Sequence, residues 1–423
     1  MNSGSTAWIL VSIALVLLMT PGLAFFYGGL VREKHVINTM KMSFIALGVV
    51  SLEWAIIGYS LAFAPGNALV GGLSFLGLNG VGIEPSATYA GEIPHLAFMA
   101  FQMMFAIITP ALISGAVVGR MKFRSYVLFI GLWALVVYAP LAHWVWGDGG
   151  WIGAMGALDF AGGTVVHVSA GVSALVAALV LGPRDGKDGT NGHNRPHNVP
   201  FVVLGASLLW FGWFGFNAGS ALAANGIAAL ALVTTMLAAS AAVVTWVGLE
   251  MSRTGKPTAT GSAIAAVVGL VAITPAAGFV TPLSAIAIGA IAGATSFGAV
   301  ALLKRTGLDD TLDVFACHGV GGMVGSILTG VFASTVANPG GADGLLAGNP
   351  GLLGAQVLSV VAAAAYAAVG TGVILFIVKL LVGLRISSAV EKVGIDFLEH
   401  AERAYVRDTN PGRITVPATN GGR

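Results

Sequence analysis

Residues 159–167 read DFAGGTVVH, and residues 310–318 read DTLDVFACH. In both stretches an aspartate precedes a histidine by eight residues, with mostly small or apolar residues between them. Eight residues of helix rise about 12 Å, so an aspartate at a helix mouth sets its histidine deep in whatever that helix crosses. The two copies stand at the starts of the fifth and tenth apolar segments of the chain, five segments apart.

Those segments run 7–29, 37–64, 95–119, 125–144, 161–181, 201–222, 227–249, 258–275, 281–303, 312–333 and 352–384. Most are long enough to span a hydrocarbon core. The eighth is short, and the last is long enough to tilt strongly or protrude. The chain of 423 residues is 56% hydrophobic and only 9% charged, with a mean hydropathy of +0.88. A soluble fold leaves too wide a surface for water to carry that composition. The expected fold is an all-α polytopic membrane protein of eleven transmembrane helices. Sixty glycines fit it, because small residues let membrane helices approach closely. A net charge of +2 gives no ground for nucleic-acid binding, and the single Cys317 excludes an internal disulfide. Residues 1–6 carry no Lys or Arg, so the first segment is expected to be a spanning helix and not a cleaved signal.

Orientation follows from the positive charges. With the N-terminus outside, all 20 Lys and Arg fall at the inner face: Arg32, Lys34 and Lys41, then Arg120, Lys122 and Arg124, and so on to the C-terminal tail. The outer loops hold Glu84, Glu92, Asp148 and Asp343 instead. N-out, C-in in a cell (inner) membrane is the prediction. Helix five then starts outside and helix ten inside, so the two Asp-x7-His copies are inverted. Residues 1–384 form the transmembrane domain, with inverted repeats at about 7–181 and 201–333 and an eleventh helix at 352–384. Residues 385–423 form a cytoplasmic tail: 387–405 is charged enough for a short helix, and 408–423 has the composition of a disordered end. The segments 184–186 and 192–197 read as a solvated inner loop. Inverted repeats with a site at midplane recur in secondary transporters.

Ionisable groups inside spans are expensive and draw attention for that reason. The candidates are His167, His318, Glu53 and Asp313, with Asp159 and Asp310 at helix mouths. Two histidines approaching midplane from opposite faces form a pair inside a pore; the plainer reading has each bonded to a backbone carbonyl. Asp159 precedes Ala161-Gly162-Gly163, where a carboxylate caps free N–H groups, and Asp310 has the same place in the second copy. Glu53 and Asp313 read as structural. Phe101, Gln102 and Phe105 share a helix face, as do Trp213, Phe216 and Ser220. Trp144 and Trp146 end helix four. Most of these rings belong to packing or an interfacial belt, but one or two suit a cation, for which Trp is the best π partner. Cys317 beside His318 reads as a small apolar residue. Neither HExxH nor a GxxxxGK[ST] loop occurs, and no metal, cofactor or enzymatic activity is expected.

The stretch 159–167 resembles the signature of the ammonium transporter family (Amt/Mep/Rh), in its Amt branch of bacterial type. The similarity extends over nearly the whole spanning region through Phe25-Phe26-Tyr27-Gly28-Gly29, Phe101-Gln102, Ile108-Thr109-Pro110-Ala111-Leu112, Gly215-Phe216-Asn217-Ala218-Gly219-Ser220 and Asp313-Val314-Phe315-Ala316-Cys317-His318-Gly319. The resemblance implies eleven helices with a five-plus-five inverted repeat, assembled as a homotrimer in the lipid bilayer with one pore per subunit. It implies an outer ammonium site of Trp146, Ser220 and Phe105, with Phe101 and the backbone of Ala161 nearby. Phe105 and Phe216 match the stacked gate, His167 and His318 the twin histidines, Asp159 the structural acid, and Trp213 the tryptophan near the mouth. The tail 394–405 matches a cytoplasmic motif that docks on neighbouring subunits and helps PII-type signalling proteins block the pore. Here Ala401 stands where the family usually has Gly, and Val393 where an acid is expected.

The resemblance implies transport of ammonium or ammonia. An ammonium sensor acting through the tail is the alternative, and a bis-His haem membrane cytochrome is a rival from another class. Paired Asn-Pro-Ala boxes are missing, which argues against a water channel.

Overall fold

The computed structural model describes residues 1–185 and 196–405. Most of the loop at 184–197 and the expected disordered end at 408–423 lie outside the described residues. Among those described, ten helices are long and apolar enough to cross a membrane, and one apolar helix is shorter. The chain is therefore a multi-pass membrane protein.

In chain order the helices are α1 (Ser3–Leu30), α2 (Glu33–Phe63), α3 (His95–Val117), α4 (residues 123–146), α5 (Gly163–Leu181), α6 (Val199–Gly219), α7 (Gly226–Thr254), α8 (Ala259–Ile273), α9 (Pro282–Leu303), α10 (Phe315–Phe332) and α11 (Pro350–Val382). Each of the eleven apolar segments corresponds to one of them. The ends of the expected segments shift by a few residues where capping chemistry outranks hydropathy. Asn2 caps α1 ahead of its first apolar residue, Asn198 caps α6, Asn225 caps α7 and Thr258 caps α8. Helix α8 has only 15 residues, and Thr274 and Pro275 end it.

The loop between α2 and α3 carries a small antiparallel pair, Pro85–Ser86 with Ala90–Pro94, which hydropathy did not announce. The tail forms two short helices where one was expected, α12 (Ser388–Val393) and α13 (Ile395–His400), split at Gly394 with its φ of +123°.

Helix α1 packs most extensively on α6, and α5 crosses α10 at the centre of the bundle. That crossing is tight: a Cβ on Gly171 would collide with the backbone of Gly319. Around it stand α3, α6, α8 and α11. Both central helices open with π-helical turns, Gly163–Val168 and Phe315–Val320, each containing its histidine. Such turns occur often at functional sites.

Candidate functional site

The start of α5 is assembled from an irregular segment, residues 157–162. Asp159 Oδ1 accepts from the amides of Gly162 and Gly163 at 2.8 and 2.6 Å, and Oδ2 from Thr164 and Val165 at 2.8 and 3.1 Å. One side chain thus satisfies the orphan donors that any helix N-terminus presents. Gly162 makes this possible with a φ of +109°, a conformation that costs glycine nothing. The carbonyl of Asp159 in turn accepts from Trp146 Nε1 at 2.9 Å, which fixes the indole over the mouth.

Next to that indole lies a run of rings. Trp146 meets Phe105 edge-on, with centroids 6.0 Å apart. Phe101 meets Phe105 at 5.0 Å. Phe105 stacks on Phe216 at 4.1 Å and 20°. Ser220, one turn beyond Phe216, donates its hydroxyl to the Phe216 carbonyl at 2.8 Å, and it remains half-buried near the same end of α6. Ala161 is buried in the segment opposite. The sequence-predicted outer residues therefore share one end of the bundle, and Phe105 with Phe216 forms a closed ring pair.

Behind the pair, Phe216 is 6.1 Å from the ring of His167, which stacks on Trp213 at 5.4 Å and on His318 at 5.3 Å. The Nδ1 atoms of the two imidazoles are 3.3 Å apart, so one ring donates to the other. The two helices, running in from opposite ends, bring the histidines together at their crossing. The remaining nitrogen of His167, Nε2, is buried without a protein partner among the described residues. Trp213 is anchored through Nε1 to Thr274 Oγ1 at 2.9 Å.

These histidines line a narrow cavity with Trp213, Phe216, Leu112, Ile108 and Val267. Its space open to the centre of a water-sized sphere is about 10 Å³, near the smallest that admits one small molecule. A cavity of that size, walled by hydrocarbon and rings, penalises a bare ion heavily. The paired imidazoles are its polar lining.

The start of α10 is built differently. Asp310 Oδ2 accepts from the amide of Phe315 at 2.6 Å, whereas Oδ1 is buried with no partner among the described residues. Burial pushes this carboxyl up to about 7, with Asp313 adding to the rise and the amides of Phe315 and Val314 and the charge of Arg120 opposing it. Asp313 holds a left-handed φ of +56°, and its carbonyl accepts from Cys317. Glu53 sits apart from this path, half-buried on α2 facing Gly131 of α4.

Sequence reasoning missed the cluster beneath. Arg120, fully buried, donates to the carbonyl of Asp309 and to Thr311 Oγ1, both at 2.6 Å. Arg184 grips the Asp309 carboxylate through Nε and Nη2 at 2.9 and 3.0 Å. Burial raises that carboxyl's pKa, but the hydrogen bonds and charge of Arg184 and the charge of Arg120 outweigh it and hold Asp309 below the ordinary range. The tail joins in. Glu391 accepts from the Asp185 amide and from Arg385, and Asp396 accepts from the amides of Ile37 and Asn38 at the start of α2. The adjacent acids 309 and 310 were the visible signal.

A membrane bundle with a narrow apolar cavity at its centre, lined by paired imidazoles beneath stacked rings, suits a multi-pass transport protein. The chain belongs to the ammonium transporter family, whose model matches residues 7–405. It is 50% identical over 406 residues to an ammonium transporter of Bacillus subtilis, covering 96% of this chain and 99% of that one. Among solved structures it resembles Saccharomyces cerevisiae Mep2, with a TM-score of 0.85 and 37% identity over 92% of this chain and 88% of the other. It also resembles a Sensor Amt Protein, with a TM-score of 0.86 and 29% identity over 94% and 98% of the two chains.

Proposed function

We propose that this protein carries ammonium across the cell (inner) membrane by recruiting the cation outside, stripping its proton and passing ammonia through the apolar passage. The observation that carries the reading is the stacked Phe105–Phe216 pair directly above the His167–His318 pair. Trp146, Phe105, Phe101, Ser220 and the backbone of Ala161 form the outer site. A cation held there by ring faces gains about 2 kcal/mol or more per desolvated ring. Moving inward removes its water, which shifts a cationic acid towards its neutral form by up to about 3–5 in pKa. Ammonium can release a proton and go on as ammonia. Potassium has no neutral form and stays outside.

The imidazole pair gives ammonia polar contact and, through its Nδ1–Nδ1 hydrogen bond, a route for the proton to follow. Asp159 and Trp213 hold the outer site in shape, and Asp310 and Asp313 shape the inner mouth. In this reading α8 is the eighth of eleven crossing helices, the termini lie N-out and C-in, and α1–α5 and α6–α10 are the inverted repeats. The subunits assemble as a homotrimer, and the inner face with its tail receives a PII-type signalling protein. A second reading, an ammonium sensor, draws on the tail's bonds to α2 and to the loop after α5. Proteoliposomes given an ammonium pulse test the main reading. Transport predicts ammonium-dependent charge movement or alkalinisation and none with potassium; inert vesicles carrying folded protein would refute it.

A further inference from the structure

Helix α11 lies outside both repeats of that reading, yet one of its side chains reaches the outer mouth. Gln356 is 1% exposed. Its Oε1 accepts from the amide of Leu158 at 2.7 Å, and its Nε2 donates to the carbonyl of Leu158 at 2.8 Å and to that of Ser326 on α10 at 2.9 Å. A side-chain amide thus pairs both backbone groups of a residue as a neighbouring strand would. Gly330 on α10 leaves the room for it, since a Cβ there would sit 3.0 Å from Gln356 Cγ.

The residue so held immediately precedes Asp159. The irregular segment has few other supports: the Asp159 carbonyl takes the Trp146 indole, and the Phe160 amide donates to the Pro275 carbonyl at 3.1 Å. Non-helical backbone at membrane depth survives only where protein satisfies its polar groups. Ser326 also ties back, its hydroxyl 3.2 Å from that of Thr164 in the first turn of α5. Gln356 therefore joins α11, α10 and the α5 mouth at one point.

We infer that Gln356 is a positioning residue for the outer cation site: it sets the Leu158–Asp159 backbone, and through the Asp159 carbonyl the orientation of Trp146. The inference rests on the ammonium reading above. Gln356→Leu removes both donors and the acceptor while nearly keeping volume. Gln356→Glu, neutral when buried so deeply, keeps the acceptor and one donor. Ammonium-evoked currents in proteoliposomes, measured against concentration, separate recruitment from throughput. The half-saturating concentration is expected to rise about tenfold in Gln356→Leu, the consequence of roughly 1.4 kcal/mol lost at the site, and less in Gln356→Glu. The maximal current is expected to change by less than about threefold, because the passage beyond the rings is untouched. A side chain that only packs would lower the yield of folded protein and leave half-saturation unmoved in both variants; that result overturns the inference. If Gln356→Leu does not fold, the Glu variant decides by the same readout. Wild-type protein with no ammonium response would refute the ammonium reading itself, a separate outcome.

Discussion

The starts of α5 and α10 have the same sequence spacing and different construction. At the first, both oxygens of Asp159 are used by four amides, and Trp146, Gln356 and Pro275 hold the flanking backbone. At the second, Asp310 engages the amide of Phe315 with one oxygen and leaves the other buried and unpartnered. The start of α5 is braced on the aspartate itself. The start of α10 is braced one residue away, where Asp309 binds two arginines. A repeat in sequence thus supplies two equivalent helix starts, and their neighbours make them unequal in construction.

Replacing the two acids breaks the comparison most directly. Asp159→Ala leaves four buried amides without an acceptor, each costing about 1–3 kcal/mol, so uptake should fall by about 100-fold or more in correctly folded protein. Asp159→Asn keeps one accepting oxygen and should be milder. Asp310→Ala should cost only about fivefold, in line with the net worth of one or two hydrogen bonds. Equal losses at both positions would mean that the two mouths are equivalent after all.

Stability tests the contrast at the α10 end. Asp309→Ala would release Arg184 from the carboxylate it grips and take away the counter-charge beside the fully buried Arg120, which keeps its bonds to the 309 carbonyl and Thr311. Breaking a buried pair in this way costs about 3–5 kcal/mol. Thermal unfolding in detergent should register it, and a loss below about 1 kcal/mol would demote the cluster to decoration.

Protonation offers a finer test. The Asp310 carboxyl, pushed up to about 7 by burial, keeps its proton in the folded protein at pH values where the unfolded chain has lost it. Its contribution is therefore full at low pH and declines as pH rises from about 4 to about 7. Asp310→Asn removes that term, so the variant should gain stability relative to wild type as pH rises across this interval. Parallel pH profiles would show that Asp310 titrates normally.

The smallest effect belongs to the tail. Asp396→Ala removes the acceptor for the Ile37 and Asn38 amides, and limited proteolysis beyond residue 385 should quicken several-fold with transport altered little. Unchanged cleavage would place the hold elsewhere, at Glu391.

Hydropathy was enough to locate the eleven apolar helices, ten of them long enough to cross a membrane, because a lipid-facing helix must announce itself along its whole length. The pair of Asp-x7-His copies was legible for a similar reason: ionisable groups are rare in such segments, so two at equal spacing stand out. Gln356 gave no such signal. A single Gln in a mostly apolar helix takes its meaning from Leu158, nearly two hundred residues away, and spacing cannot express that. Arg120 was read as an ordinary inner-loop cation, since the charge rule counts arginines without asking which are buried. The hairpin at 85–94 was missed because its pairing depends on Pro and Gly geometry and not on apolar periodicity.

The central claim is that the imidazole pair makes the passage selective for a species that sheds and regains a proton. The direct measurement is the current evoked by ammonium and by potassium pulses in proteoliposomes of wild type, His167→Ala, His318→Ala and His167→Asp. Removing one imidazole should abolish the proton-coupled current while any passage of neutral ammonia persists as an electrically silent alkalinisation. Placing a carboxylate at His167 should admit potassium, because a fixed negative charge lowers the penalty for a whole cation. Ammonium currents and potassium exclusion identical to wild type in all three variants would contradict the account.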